Sequence, residues 1–167
     1  MILSLLCCTW LLTGCDSAPK ALRIGQQAPG FSSKDLKGQP VSLDNYAGKP
    51  VVLRFFLPDC KFCRADTAVF NELYRTYKEK GLGVIYVNTA PKPGEVQKFV
   101  DDLKIIFPVV LDSDRSLANR YLVQVVPQTV VMDPKHNIIG VILGGVSKEQ
   151  LDDMLRPFFD IKQGGDK

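Results

Sequence analysis

Between residues 51 and 80 the hydrophobic pattern changes period once, and this change restricts the fold more than any other feature of the chain. Residues 51–57 form an apolar run rich in Val and Phe, interrupted by Arg54. The run is short and heavy in branched and aromatic side chains, so it reads as a buried strand. Pro58-Asp59 breaks it. From Cys60 to Lys80 the apolar positions Cys63, Thr67, Phe70, Leu73, Tyr74 and Tyr77 recur at three- and four-residue steps. That spacing is helical, and Gly81 and Gly83 supply its stop.

The same alternation continues to the end of the chain. Strands are expected over 84–88, 107–111, 128–133 and 138–143, the last two around the turn from Asp133 to Asn137. A helix opens at 91–94 with Val96, Phe99, Val100 and Leu103 on one face, a short one covers 112–121, and Ser147 caps a last one through Leu155. Residues 22–50 are punctuated by Gly25, Pro29, Gly30, Gly38, Pro40, Gly48 and Pro50, with residues 41–43 as one strand of a hairpin. Strands alternating with helices, then a hairpin and a helix, predict an α/β fold with a central mixed sheet flanked by helices.

The N-terminus reads differently. Residues 2–12 are apolar apart from Ser4 and Thr9, too short for a bilayer span of about 20 residues and the length of a signal-peptide core. Leu12-Thr13-Gly14-Cys15 follows directly and resembles the lipobox of bacterial lipoproteins, in which the Cys becomes lipidated. Asp16 to Lys20 looks like the polar tether behind such an anchor, although no positive charge precedes the apolar core. The expected division is a signal peptide over 1–14, a tether over 15–21, one domain over 22–160 and a polar tail over 161–167, with the domain outside the cytoplasm. A formal charge of +3 without a basic run provides no support for nucleic-acid binding. The five cysteines then sort themselves: Cys7 and Cys8 leave with the signal, Cys15 is lipidated, and Cys60 and Cys63 remain.

A Cys-x-x-Cys at a strand-to-helix junction has a chemical purpose. Cys60 at the helix N-terminus meets unpaired N–H groups and the positive end of the dipole, which stabilise a thiolate. Cys63, one turn later, is placed to attack a mixed disulfide formed on Cys60. Zinc is the first competing reading, but it needs four ligands, and beyond Cys60 and Cys63 the mature chain offers Cys15 and the single His136. A static disulfide is the second; so short a loop suits exchange better than stapling.

Residues 22–158 resemble the TlpA/ResA group of the thioredoxin superfamily, which are extracytoplasmic and often membrane-tethered thiol-disulfide oxidoreductases. The likeness is carried by Ile24-Gly25-Gln26-Gln27-Ala28-Pro29-Gly30-Phe31, by the strand leading into the two cysteines, by Phe107 to Asp112 with Asp114 and Tyr121, and by Val126-Pro127-Gln128-Thr129 with Asp133 and Gly140. It implies a thioredoxin-like fold with an N-terminal β extension and an inserted αβ element. It implies a cis-proline at Pro127, with the backbone of Val126 binding an extended client. It also places an acid near the thiols at Asp66, which shares a helix face with Cys63. Asp66 is then either the base that deprotonates Cys63 or an exposed helix carboxylate.

The chain departs from the family at Asp59, where a Trp usually precedes the first Cys, and at Phe62, where a Pro commonly precedes the second. Arg54 stands where thioredoxin itself has a buried acid. Arg54, Lys61 and Arg64 would favour thiolate and Asp59 would oppose it; whether Arg54 points at the thiols is open. The resemblance implies protein disulfide or dithiol clients, no cofactor beyond the Cys60–Cys63 disulfide, no metal, a membrane electron donor of the DsbD/CcdA type, a monomer, and reduction of protein disulfides, for instance in cytochrome c maturation. Two other readings stand beside it. A peroxiredoxin would want Thr or Ser at position 57 and Pro at 53, both of which are Leu. A Sco-type metal protein would want one more residue between the cysteines, although His136 is present.

Overall fold

The computed structural model describes residues 21–89 and 92–159. The predicted signal, most of the tether including Cys15, and the polar tail lie outside the described residues.

A hairpin of β1 (Ser32–Lys34) and β2 (Pro40–Ser42) leads in. β3 (Val51–Phe56), α1 (Lys61–Tyr77), β4 (Gly83–Asn88), α2 (Pro93–Asp102), β5 (Val109–Leu111), α3 (Ser116–Arg120), β6 (Gln128–Met132), β7 (Ile138–Leu143) and α4 (Lys148–Leu155) follow. The main sheet has the order β5-β4-β3-β6-β7. β3, β4 and β5 run parallel, while β6 and β7 are antiparallel to their neighbours. This is the mixed α/β sheet of a thioredoxin-like fold. The hairpin forms the N-terminal extension, and α2 with β5 forms the inserted αβ element.

β3 is the central strand, and all six of its residues are buried, as a strand covered on both faces requires. Its period of two separates the cores. Val51, Leu53 and Phe55 join Val110, Leu117, Tyr121 and Phe31 on the hairpin side. Val52 and Phe56 join Phe70, Tyr86, Phe99 and Leu151 under α1, α2 and α4. The second core is built on aromatic pairs: Phe56 lies 4.7 Å from Phe99 and 5.3 Å from Tyr86 between ring centroids, a separation at which tilted rings attract.

Several boundaries shifted for local reasons. Leu43 begins a 3-10 turn instead of ending a strand, because Ser42 and Asn45 form a reciprocal cap. The helix expected over 60–80 is α1 preceded by Cys60 as its cap and followed by a 3-10 turn, Lys78–Lys80, closed by Gly81 at φ +100°. The helix expected over 112–121 shortens to α3, because both carboxylate oxygens of Asp112 capture the Leu117 and Ala118 amides at 2.8 and 2.7 Å. Ser147 caps α4 as expected, reciprocally with Gln150. Ile138 and Met132 are paired across a register shift after Val131. Among the described residues no helix is long and apolar enough to cross a membrane.

Gly83 opens β4 against the Tyr46 ring: a Cβ added there would stand 2.5 Å from Cδ1. Gly83→Ala is expected to lower stability in urea by about 1–3 kcal/mol, the range for overpacking. Gly140→Ala should cost less, since its Cβ would meet the flexible thioether of Met154. Equal losses for the two variants would contradict this.

Candidate active site

The end of β3 and the start of α1 are joined by a turn in which the Cys60 amide donates to the Leu57 carbonyl at 3.2 Å. Proline cannot continue the ladder as a donor, so Pro58 ends the strand and the chain turns into the helix. Cys60 has extended backbone and caps α1 with its sulfur: Sγ accepts the Cys63 amide at 3.2 Å. The sulfur therefore sits among the unpaired N–H groups of the first helical turn, where a thiolate is favoured. Cys60 and Cys63 are joined as a disulfide with Cα atoms 5.2 Å apart.

The two sulfurs differ in access. Cys60 is half-buried, whereas Cys63 is 1 % exposed and packed in the core beneath α1. The first is open to solvent and the second is not. Lys61 and Phe62, between them, point outward, with Phe62 67 % exposed, and Asp59 is exposed in the preceding turn. Arg64 is turned toward α2, pairing with Asp102 at 3.3 Å and lying 5.4 Å over the Phe99 ring.

Arg54 has the strand parity of Val52 and Phe56, so it faces α1, and it is fully buried. Its Nη2 pairs with Asp66 Oδ2. Its Nη1 donates to the Thr129 hydroxyl at 2.6 Å and the Gly144 carbonyl at 3.2 Å, and the guanidinium stands 5.0 Å over the Phe70 ring. Asp66 is accordingly no exposed helix carboxylate. It is buried, and its Oδ2 also accepts the Val146 amide at 3.1 Å. Burial pushes the Asp66 carboxyl up and the Arg54 guanidinium down, while their mutual attraction opposes both shifts.

The Val126–Pro127 peptide is cis. Pro127 is buried and its carbonyl accepts the Gly144 amide at 2.8 Å. Val126 is half-buried beside the hairpin-side core. The cis-proline segment is thus tied through Gly144 and Thr129 to Arg54, and through Arg54 to α1. Thr129 entered the sequence reading as part of the Val126-Pro127-Gln128-Thr129 motif without a site role, and Gly144 and Val146 did not enter it. Thr129 had a signal, two residues beyond Pro127 and so on the same strand face; Gly144 and Val146 act through backbone atoms and leave none. His136 turns its Nε2 to the Tyr46 carbonyl at 3.0 Å.

Comparison with known proteins agrees with this geometry. Residues 24–141 match the AhpC/TSA family. The chain is 34% identical over 132 residues to the thiol-disulfide oxidoreductase ResA of Geobacillus kaustophilus, spanning 79% of this chain and 76% of the relative. It is 34% identical over 146 residues to ResA of Bacillus cereus, spanning 87% and 84%. Among solved structures, the thioredoxin domain of a thiol-disulfide oxidoreductase from Bacteroides vulgatus superposes with a TM-score of 0.75 at 27% identity, covering 84% of this chain and all of that one. With Cys60 capping α1, Cys63 in its first turn and a cis-proline leading into β6, the chain belongs to the AhpC/TSA family and is a ResA-like thiol-disulfide oxidoreductase.

Proposed function

We propose that the protein reduces disulfides of client proteins outside the cytoplasm. The observation that carries this reading is the difference in access between its sulfurs: Cys60 caps a helix at the surface and Cys63 is 1 % exposed behind it. Cys60 thiolate attacks a client disulfide, a mixed disulfide forms, and Cys63 displaces the reduced client. Asp66, one turn beyond Cys63, takes the thiol proton that must leave before Cys63 attacks. Val126 and Pro127 present backbone to an extended client, and Phe62 offers it an apolar contact. Arg54, Asp59, Lys61 and Phe62 set the redox poise, with Arg54 acting through Asp66.

Cys15 carries the lipid anchor, and the domain works as a monomer at the outer face of the membrane, on the periplasmic side in a diderm cell. Electrons come from a membrane donor of the DsbD/CcdA type, and cytochrome c maturation is the pathway in which the clients lie. No cofactor takes part besides the cysteine pair.

The test is insulin reduction with dithiothreitol as the electron source, together with the reduction potential of the pair against glutathione. The expected result is catalysed insulin precipitation and a potential below about −150 mV, away from the strong-oxidant end of the range. An inert protein, or a potential well above that value, would reject a reductase.

A further inference from the structure

Three parts of the fold converge on a side chain that exchange chemistry at Cys60 and Cys63 does not itself require. Arg54 lies in the middle of β3, fully buried. It holds Asp66 on α1, Thr129 on β6 and the Gly144 carbonyl beyond β7, and it covers the Phe70 ring. A guanidinium keeps its proton in proteins, so a buried one demands a fixed anion, and Asp66 supplies it.

The carboxylate is used unevenly. Oδ2 takes both Arg54 and the Val146 amide. Oδ1 is shielded from solvent and has no hydrogen-bond partner. A buried acceptor left open calls for an explanation. Asp66 follows Cys63 by three residues on one helix, a spacing at which side chains are neighbours on the same face, and both are buried on that face. The open oxygen therefore belongs to the residue best placed to receive the Cys63 proton.

We propose that Arg54 is a positioning residue for the resolving step: by occupying Oδ2 it keeps Asp66 ionised and leaves Oδ1 as the acceptor for the Cys63 thiol proton. This rests on the reading of Asp66 as the base. In the step, the Cys63 thiol gives its proton to Oδ1 and its sulfur attacks Sγ of Cys60 in the mixed disulfide. The Cys60–Cys63 bond forms, the Cys60–client bond breaks, and the client leaves as a thiolate that is protonated from water. The cysteine pair is oxidised by two electrons and the client disulfide is reduced by two. Asp66 later returns its proton to water.

The groups around Asp66 leave this task to Arg54. β4 contributes Tyr86, a phenol held neutral by burial. α1 contributes Cys63 itself, and β6 the Thr129 hydroxyl that Arg54 also binds. The segment after β7 contributes the Gly144 carbonyl and the Val146 amide. At the start of α4, Lys148 is paired with Asp152. Burial drives the Asp66 carboxyl upward, and the charge of Arg54 is the largest influence against it. Without that cation the carboxyl stays protonated further up the pH scale, and a protonated carboxyl accepts nothing.

The test uses dithiobis-nitrobenzoate and the reduced full chain carrying Cys7→Ser, Cys8→Ser and Cys15→Ser in every variant, so that Cys60 and Cys63 are its two thiols. Cys60 releases the first thionitrobenzoate and Cys63 the second, so the second phase reads the resolving step alone. In Arg54→Met the second phase is expected to slow about tenfold at mildly acidic pH, a factor of ten for each unit by which the carboxyl rises. It should rejoin the wild type at alkaline pH, where solvent deprotonates Cys63, and the first phase should keep its pH profile. Arg54→Lys, which retains the charge, should recover most of the lost rate. Asp66→Asn should be slow wherever the wild type is fast at neutral pH, and should lack the acid limb.

A wild-type pH profile in Arg54→Met, with Asp66→Asn still slow, overturns the role of Arg54 and leaves the base reading standing. A wild-type second phase in Asp66→Asn overturns both. Should Arg54→Met fail to fold, carbon-13 NMR of labelled Asp66 in the reduced wild type decides: a carboxylate at neutral pH is expected, and a protonated carboxyl there overturns the proposal.

Discussion

Cys60→Ser is expected to abolish disulfide reduction, lowering turnover by more than about 10³-fold, the scale on which removal of a catalytic nucleophile falls. The reason is access. Cys63 is 1 % exposed and cannot take over the attack on a client. Its substitution should fail in another way. In Cys63→Ser, Cys60 still caps α1 and still attacks, but the mixed disulfide has no internal exit. The variant should therefore accumulate covalent adducts with its clients, visible as mass-shifted species that a reductant releases. Against the reduced wild type, which also lacks the disulfide, Cys60→Ser should keep the melting curve, while Cys63→Ser should melt somewhat lower because a hydroxyl replaces a buried thiol. Residual activity in Cys60→Ser above the uncatalysed rate, or absence of adducts in Cys63→Ser, would reverse the assignment of the two thiols.

The second large effect concerns stability. Asp66→Leu should destabilise the fold by about 3–5 kcal/mol, because it leaves the buried Arg54 charge without its anion. For a domain of this size that is a fall in melting temperature of roughly 6–20 °C. Arg54→Met should cost less, since the stranded carboxyl can neutralise itself by binding a proton and the stranded guanidinium cannot. The sign of its pH dependence follows. In Arg54→Met the folded-state pKa of Asp66 lies above its unfolded value, so the folded state binds more protons between the two. Stability from this group is present below the unfolded pKa and declines as pH rises through the folded one. The gap to the wild type should widen from acid toward neutral pH. The double variant Arg54→Met/Asp66→Leu removes both charges and should recover most of the loss, as paired apolar replacements of buried ion pairs often do. Denaturant titrations at several pH values measure all of this. An Asp66→Leu variant as stable as the wild type would mean that the pair is not the anchor its burial implies.

The two cysteines and the two elements that carry them were legible because each signal is local. A run of buried residues ending at Pro58, a helical period starting at Cys60 and a spacing of three are properties of adjacent residues. Pro127 was legible through the family resemblance, carried by Val126-Pro127-Gln128-Thr129. The shortened α3 was not, because Asp112 bonds amides five and six residues ahead and so suppresses the first turn that the pattern suggested. Asp66 was half legible: its face on α1 followed from the period, but its burial did not.

Residues 51–66, read alone, therefore place a thiol pair at a strand-to-helix junction, and the family resemblance of the wider chain adds the class of chemistry. What Arg54 does was decided by the tertiary structure. A lone cation in an apolar strand has no preferred partner until strands and helices are docked. The antiparallel register of β3 and β6 sets Arg54 opposite Thr129, 75 residues away. The packing of α1 on the sheet brings Asp66 to the guanidinium, and the segment after β7 closes over both. Periodicity reports which side of an element is buried; only the docking of one buried side on another determines which charges meet there, and a buried charge is governed by the partner it meets.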